Sequence, residues 1–445
     1  MVFNFSRKFL PRHSADAFGI AHRLGNIAWI RFLTKCRIKI RLIIHVMRNR
    51  AKHQAIFQPF AAQIIRQPLR KRAFTRSGGA IHRNDGLALM VRHKCLLSLA
   101  FSRVYAMDSG MTSAQTDLRT LWQRGCDFLG SEVSIMGGAM SWVSERHLVS
   151  ALSNSGAFGV IAASSMPPEL LKAEIEATQG MTDRPFGVNL ILMHPKLDEL
   201  IAVCKETGVT HLVLAGGIPK KSTIEAVRAF AKVIAFAPTV AIGRKLIKMG
   251  ADALVIEGAE AGGHIGPVST SVLAQEILPH LSADVPVFVA GGIGRGEAIA
   301  NYLKMGASGV QLGTRFVCAE ECIAHDNFKN LFIKSAARDA GVSVQYHPDF
   351  PVIPVRAINN KASDDFMRFQ KETVEKHFAG ELERSEAQLA IEHFWAGALR
   401  KAVIDGDVES GSVMAGQSVG MVQRTQKTQQ IIDELVSQAA QYLLS

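Results

Sequence analysis

The chain has 445 residues, 48% of them hydrophobic, and a net charge of +12; that is enough for a barrel-sized domain with a large core plus an appendage. The charge is unevenly spread: residues 1–106 hold 21 Lys/Arg against Asp16 and Asp85, a surplus of +19, and the rest holds 30 bases against 37 acids, or −7. The main body therefore lacks the excess of bases that collects phosphates, which argues against nucleic acid as its partner.

In chain order, residues 1–106 read as a basic extension outside the fold, expected to be disordered. Their most apolar piece near the middle, Leu42–Met47, is flanked by Arg41 and Arg48. No apolar run approaches the roughly 18 residues of a transmembrane helix, so no membrane partner is expected. No compact apolar segment precedes a small-residue cleavage site, so a secretory signal fits poorly. An Arg-rich, acid-poor composition suits a mitochondrial transit peptide. The preferred reading is an upstream start codon, with a cytoplasmic protein beginning at Met107 or Met111.

The texture changes from Met111. Asp117–Leu129 has helical spacing of Leu118, Leu121, Trp122 and Phe128. Eight short apolar runs follow: Val133–Met136, Gly159–Ala163, Phe186–Ile191, His211–Ala215, Val233–Ala237, Ala253–Ile256, Val287–Ala290 and Gly309–Leu312. Each is followed by a helical pattern, and the runs are nearly continuously apolar, as parallel strands buried on both faces are. The reading is an α/β fold, a (β/α)8 TIM barrel over 107–320. The rival, a doubly wound open sheet, usually stops at about five to seven strands. Residues 321–399 read as a smaller helical subdomain. A return segment, 400–445, with a glycine-rich stretch and a last amphipathic helix at Gln429–Leu444, completes the barrel.

The cysteines Cys36, Cys95, Cys126, Cys204, Cys318 and Cys322 show neither regular spacing nor a C-x-x-C pair. They read as idle thiols in a reducing cytosol, with no metal site.

Reactive groups of such barrels lie where strands lead into helices. The informative residues fall there: Gly138-Ala139-Met140 after the first strand, Asn189 near the end of the third, and Ala215-Gly216-Gly217 after the fourth. The sixth runs into Glu257-Gly258-Ala259-Glu260-Ala261-Gly262-Gly263-His264, the seventh into Gly291-Gly292-Ile293-Gly294, the eighth into Gly313-Thr314. Glycines at the last two ends let backbone N–H groups approach an anion, so a phosphate site is expected there. A Rossmann reading fails, because the spacing is G-G-x-G-x-G and no acid for a ribose follows. His264, between glycines at a strand end, suits proton transfer. The competing reading is a histidine that only shapes the loop. Glu257 and Glu260 read as loop support, and the histidines elsewhere as surface or packing residues.

Taken together, SIMGGAMSWVSERHLVSALSNSGAFGVIAA, PFGVNL, LVLAGGIP, GADALVIEGAEAGGHIG, VPVFVAGGIGRGEAIA, GVQLGTRFV and GSVMAGQSVG resemble the nitronate monooxygenase (2-nitropropane dioxygenase) family. They are also similar to enoyl-acyl-carrier-protein reductase II, a sister family on the same flavin barrel. The resemblance spans about residues 115–425. It implies non-covalent FMN, with phosphate at Gly291, Gly292, Gly313 and Thr314. The ring would lie against Gly138, Ala139, Met140 and Asn189, with Gly262 and Gly263 completing the pocket. It implies that His264 is the catalytic residue, that the substrates are a nitronate or nitroalkane and dioxygen, and that the 411–417 segment lies near the flavin. The alternatives are an NADH-dependent enoyl reductase and a flavin-binding protein without turnover. A homodimer is left open.

Overall fold

The computed structural model describes residues 113–445 except Ser165 and Ala396. The basic extension, Cys36 and Cys95 lie outside the described residues.

The chain enters through α1 (Ser113–Leu129). Its apolar face, Leu118, Trp122, Cys126 and Leu129, is buried. Gly125 lets this helix touch the barrel, since a Cβ there would come within 2.1 Å of Ser134 Oγ and Ser308 O. Eight parallel strands follow: β1 (Ile135–Gly137), β2 (Gly159–Ala162), β3 (Phe186–Ile191), β4 (His211–Ala215), β5 (Lys232–Phe236), β6 (Ala253–Glu257), β8 (Val287–Ala290) and β9 (Gly309–Leu312). They pair in the order β1-β9-β8-β6-β5-β4-β3-β2. The ends meet where Gly137 N–H donates to Phe158 O at 2.8 Å and Phe158 N–H to Ile135 O at 2.9 Å, closing a TIM barrel.

The first strand starts two residues later than its apolar run suggests. Glu132 and Val133 spend their N–H groups on Gly156 O, at 2.8 and 3.0 Å, in the approach loop.

Strand alternation sorts the core into two layers. Met136, Val160, Val213, Ile234, Ala253, Val255, Phe288 and Ala290 fill the barrel, closed below by Leu129 of α1. Ile135, Ile161, Val188, Leu190, Leu254, Ile256, Val289 and Val310 face the helices.

Those helices are α2 (Arg146–Asn154), α3 (Pro168–Met181), α4 (Leu197–Glu206), α5 (Lys221–Arg228), α6 (Val240–Met249), α7 (Thr270–Leu281) and α8 (Gly296–Lys304). After β9 the chain makes an excursion through α9 (Asp326–Lys334), α10 (Lys361–Phe378), α11 (Arg384–His393) and α12 (Ala398–Val403). It returns as α13 (Thr428–Tyr442), which packs on α8 and α1. The approach to α8 is close: a Cβ on Gly296 would meet Leu435 O at 2.1 Å.

The excursion also holds β10 (Ala340–Val342) and β11 (Val355–Ile358). These form an antiparallel sheet with β7 (Gly263–His264), in the order β10-β11-β7. Among the described residues no helix is long and apolar enough to cross a membrane, and no cluster of three potential metal ligands occurs. Cys126, Cys204, Cys318 and Cys322 are free and buried. Burial pushes the first three thiols up to about 12 and Cys322 to about 11, so they are inert at neutral pH.

Candidate active site

The alternation that packs apolar side chains inside the barrel turns polar near its C-terminal end. Val255 faces inward, so Glu257 does too, and by the same parity Asn189 on β3 and Gln311 on β9 point inside. Glu257 and Gln311 are both register partners of Ala290, which puts them at one level on either side of β8. Asn189 Nδ2 donates to Val213 O at 3.1 Å. Among the described residues, the Asn189 side-chain oxygen, the Glu257 carboxyl and the Gln311 amide have no partner. With no donor to stabilise its charge, burial pushes the Glu257 carboxyl up to about 7.

Glycines keep the surrounding walls bare. Gly138 N–H donates to Leu312 O at 2.8 Å, and a Cβ on Gly138 would lie 3.3 Å from Gly313 Cα. Met140 stands beside Gly313, its sulfur 3.2 Å from where a Cβ would be. Gly291 and Gly292 are left-handed, with φ of +98° and +70°. A Cβ on either would collide, with Thr270 Oγ1 at 2.8 Å or Glu260 Cβ at 2.9 Å. Among the described residues, the N–H groups of Gly292 and Gly294 meet no protein acceptor.

Glu260 supports this wall. Its Oε2 accepts from Thr270 N–H at 2.8 Å and Thr270 Oγ1 at 2.9 Å, capping α7.

The C-terminal return segment closes another side. Gln417 N–H donates to Glu260 O at 2.9 Å, and a Cβ on Gly262 would lie 2.6 Å from Ala415 C and Gly416 N. Met414 approaches Gly263, whose Cβ would be 3.6 Å from its sulfur.

His264 sits on β7 opposite Val355, and Gly263 opposite Arg356. Arg356, buried, donates from Nε to Ala259 O at 2.9 Å and also to Ala340 O, so one side chain ties the loop after β6 to the small sheet. The His264 residue is exposed, and its ring has no partner among the described residues. The neighbouring chain still desolvates the ring enough to hold its pKa below the ordinary histidine value. It is therefore neutral at pH 7 and able to accept a proton.

The loop after β1 carries one irregularity. Met140 O accepts from Val143 N–H at 3.0 Å and Ser144 N–H at 2.8 Å, which makes Trp142 the third residue of a tight turn. That position takes a left-handed residue in a type II turn. Trp142 has φ +68° and is the sole non-glycine left-handed residue among the described ones. Such a conformation costs about 1–3 kcal/mol.

The profile of the nitronate monooxygenase family matches residues 123–438. The chain belongs to that family. Like other members it is a flavin-dependent oxidoreductase. It is 27% identical over 345 residues to the (3aS,4S,5R,7aS)-5-hydroxy-7a-methyl-1-oxo-octahydro-1H-indene-4-carboxyl-CoA dehydrogenase of Rhodococcus jostii, which covers 70% of this chain and 94% of the relative. It is 26% identical over 332 residues to a probable nitronate monooxygenase of Staphylococcus aureus, covering 62% of this chain and 92% of the relative. The solved structure of FabK from Thermotoga maritima aligns with a TM-score of 0.65 at 32% identity, covering 72% of this chain and 97% of that one.

For a member of this family the decisive test is whether the mouth can hold a flavin, and the residues present fit one. Bare glycine walls admit a flat ring, the free N–H groups of the left-handed Gly292 and of Gly294 admit a phosphate, and the unpaired Glu257 and Gln311 at one level of the barrel suit a heterocycle's edge. Of the eleven residues singled out from the sequence, Asn189 lies inside β3, two residues short of its end, and the others lie on the segments that follow the barrel strands. The sequence reading missed Gln311 and the inward direction of Glu257, although the parity of Val255 and Glu257 carries that signal. It also missed Arg356, Met414 as a side wall, and Trp142, for which no local pattern exists.

Proposed function

We propose that this protein uses FMN to oxidise alkyl nitronates with dioxygen, acting on a small-molecule substrate in the cytoplasm. The observation that most supports the reading is His264, exposed, without a protein partner and biased toward its neutral form. FMN is preferred because there is one phosphate cradle and no dinucleotide fingerprint. Gly291, Gly292, Gly313 and Thr314 would hold the phosphate. Gly138, Ala139, Met140, Asn189, Gly262 and Gly263 would line the ring, with Glu257 and Gln311 at its polar edge.

The bound flavin would supply the ring that accepts the substrate's electron pair. His264 would take the proton from the carbon next to the nitro group of a neutral nitroalkane, at whichever ring nitrogen faces it. A nitronate arrives without that proton and would need only orientation. Glu257, protonated up to about pH 7, can donate one hydrogen bond and adds no negative charge where electrons arrive. Met414 and Met140 would exclude water from the two flanks.

The 32% identity with FabK, an enoyl-acyl-carrier-protein reductase II, favours a second reading, reduction of an enoyl thioester by NADH. Stopped-flow mixing of the purified flavoprotein with ethyl nitronate, NADH and NADPH in parallel separates the two. Bleaching by the nitronate with dioxygen-dependent recovery is the expected result. A flavin inert to nitronate but rapidly bleached by NADH would transfer the assignment to the enoyl reductase.

A further inference from the structure

The ring of Trp142 stands apart from the apolar core. It is 36% exposed and belongs to none of the apolar core clusters. Its backbone sits where a glycine would rest without strain. The turn cannot relax around it, because the Ser144 hydroxyl donates to Gly138 O at 2.8 Å and accepts from Met140 N–H at 3.0 Å. Ser141 adds a third tie, its Oγ 2.5 Å from Ser164 Oγ on the loop after β2.

The tie to Gly138 matters for placement. Gly138 lies against Gly313, and Met140 beside it, so the ring stands on the loop that borders the candidate flavin site. From the other side comes Arg400 of α12, its guanidinium 5.8 Å from the Trp142 ring centroid and paired with Asp405 at 3.2 Å. The same helix is joined to the return segment, where Ser412 N–H donates to Ala398 O at 3.0 Å. That segment carries Met414 to Gly263, next to His264. Trp142 and Arg400 therefore link the loop after β1 with the segment beside His264.

We propose that Trp142 is a specificity-determining wall of the substrate pocket, placed in a strained turn so that its ring packs against the carbon skeleton of the substrate. This rests on the reading that the barrel mouth takes a substrate over a flavin. The occupant is the apolar alkyl portion of a small substrate. Arg400 braces the ring and leaves the carbon skeleton an aromatic surface to lie on. Long or bulky skeletons are excluded by the same ring.

The test uses Trp142→Gly and Trp142→Phe in the flavin-loaded protein. Trp142→Gly is expected to melt at or above the wild-type temperature and to retain full flavin content, because glycine relieves the turn. Its kcat/KM for ethyl nitronate should fall about tenfold, through KM, while a bulky aryl nitronate loses little, so the preference ratio shifts about tenfold. Trp142→Phe should keep the wild-type ratio. A Trp142→Gly protein that melts lower and sheds flavin would assign the ring a structural role and overturn the proposal. An unchanged ratio in a stable, flavin-loaded variant would overturn it as well. Should the wild type ignore nitronates, the same ratio is read with short and long enoyl thioesters under NADH, which keeps failure of the functional reading apart from failure of the wall.

Discussion

The Gly416 amide donates to the Thr314 hydroxyl at 2.9 Å, across 102 positions of sequence. The bond joins the return segment to the loop after β9, and it lies where Gly262 passes 2.6 Å from the Gly416 nitrogen, measured from its would-be Cβ. Three chain segments thus meet with no room for a side chain. Gly262→Ala should force them apart, costing about 1–3 kcal/mol of stability and more than tenfold in flavin affinity. Thermal melting and flavin retention through gel filtration report both, and wild-type values in each would show that the junction tolerates a methyl group.

Gly292→Ala should yield a folded protein without flavin. Its φ of +70° disfavours any side chain, and the new methyl would lie 2.9 Å from Glu260 Cβ, displacing the residue that caps α7. The absorbance of the purified variant gives the answer directly. Denatured wild type should release FMN; chromatographic recovery of FAD would show that the cradle holds a dinucleotide.

Glu257 makes the flavin-free protein less stable as pH rises. Its carboxyl is raised from 4.5 to about 7 in the fold, so between those values the unfolded chain gives up a proton that the folded one keeps. The favourable contribution is complete below 4.5 and lost as pH rises through 7. Glu257→Gln should remove that slope and gain about 1–3 kcal/mol at pH 8, each pKa unit being worth about 1.4 kcal/mol. His211 acts oppositely: burial lowers it from 6.5 to about 4, so its contribution is lost as pH falls through that window. Since His211 is present in both proteins, denaturant midpoints of variant and wild type across pH isolate Glu257. Parallel curves would rule the effect out.

His264→Ala should abolish turnover of neutral nitroethane while sparing ethyl nitronate, with a general-base loss of about 10²–10⁴-fold. Equal losses on both substrates would instead assign His264 to stabilising charge on the nitro group. In the wild type, the acid limb for nitroethane should fall below pH 6.5, the ordinary histidine value, because burial lowers this imidazole. An acid limb at or above 6.5 would point to another base.

Much of the barrel was legible in the sequence because each strand writes its own local signal. Eight apolar runs followed by helical periodicity suffice to count the strands, and Phe186–Ile191, His211–Ala215, Val287–Ala290 and Gly309–Leu312 form with the bounds their apolar runs suggest. The glycines were legible too, since clusters such as Gly291-Gly292 mark backbone that no side chain can share. Other features belonged to the tertiary structure alone. The pairing of the two-residue β7 with β11, about ninety positions later, leaves no periodicity to read in either segment. Glu257 and Gln311 flank Ala290 only because the barrel closes in that register, and Trp142 reveals its left-handed turn only once Ser144 has tied the loop. Periodicity is a property of neighbours along the chain, whereas register and close approach are set by closing the sheet and packing the return segment onto it.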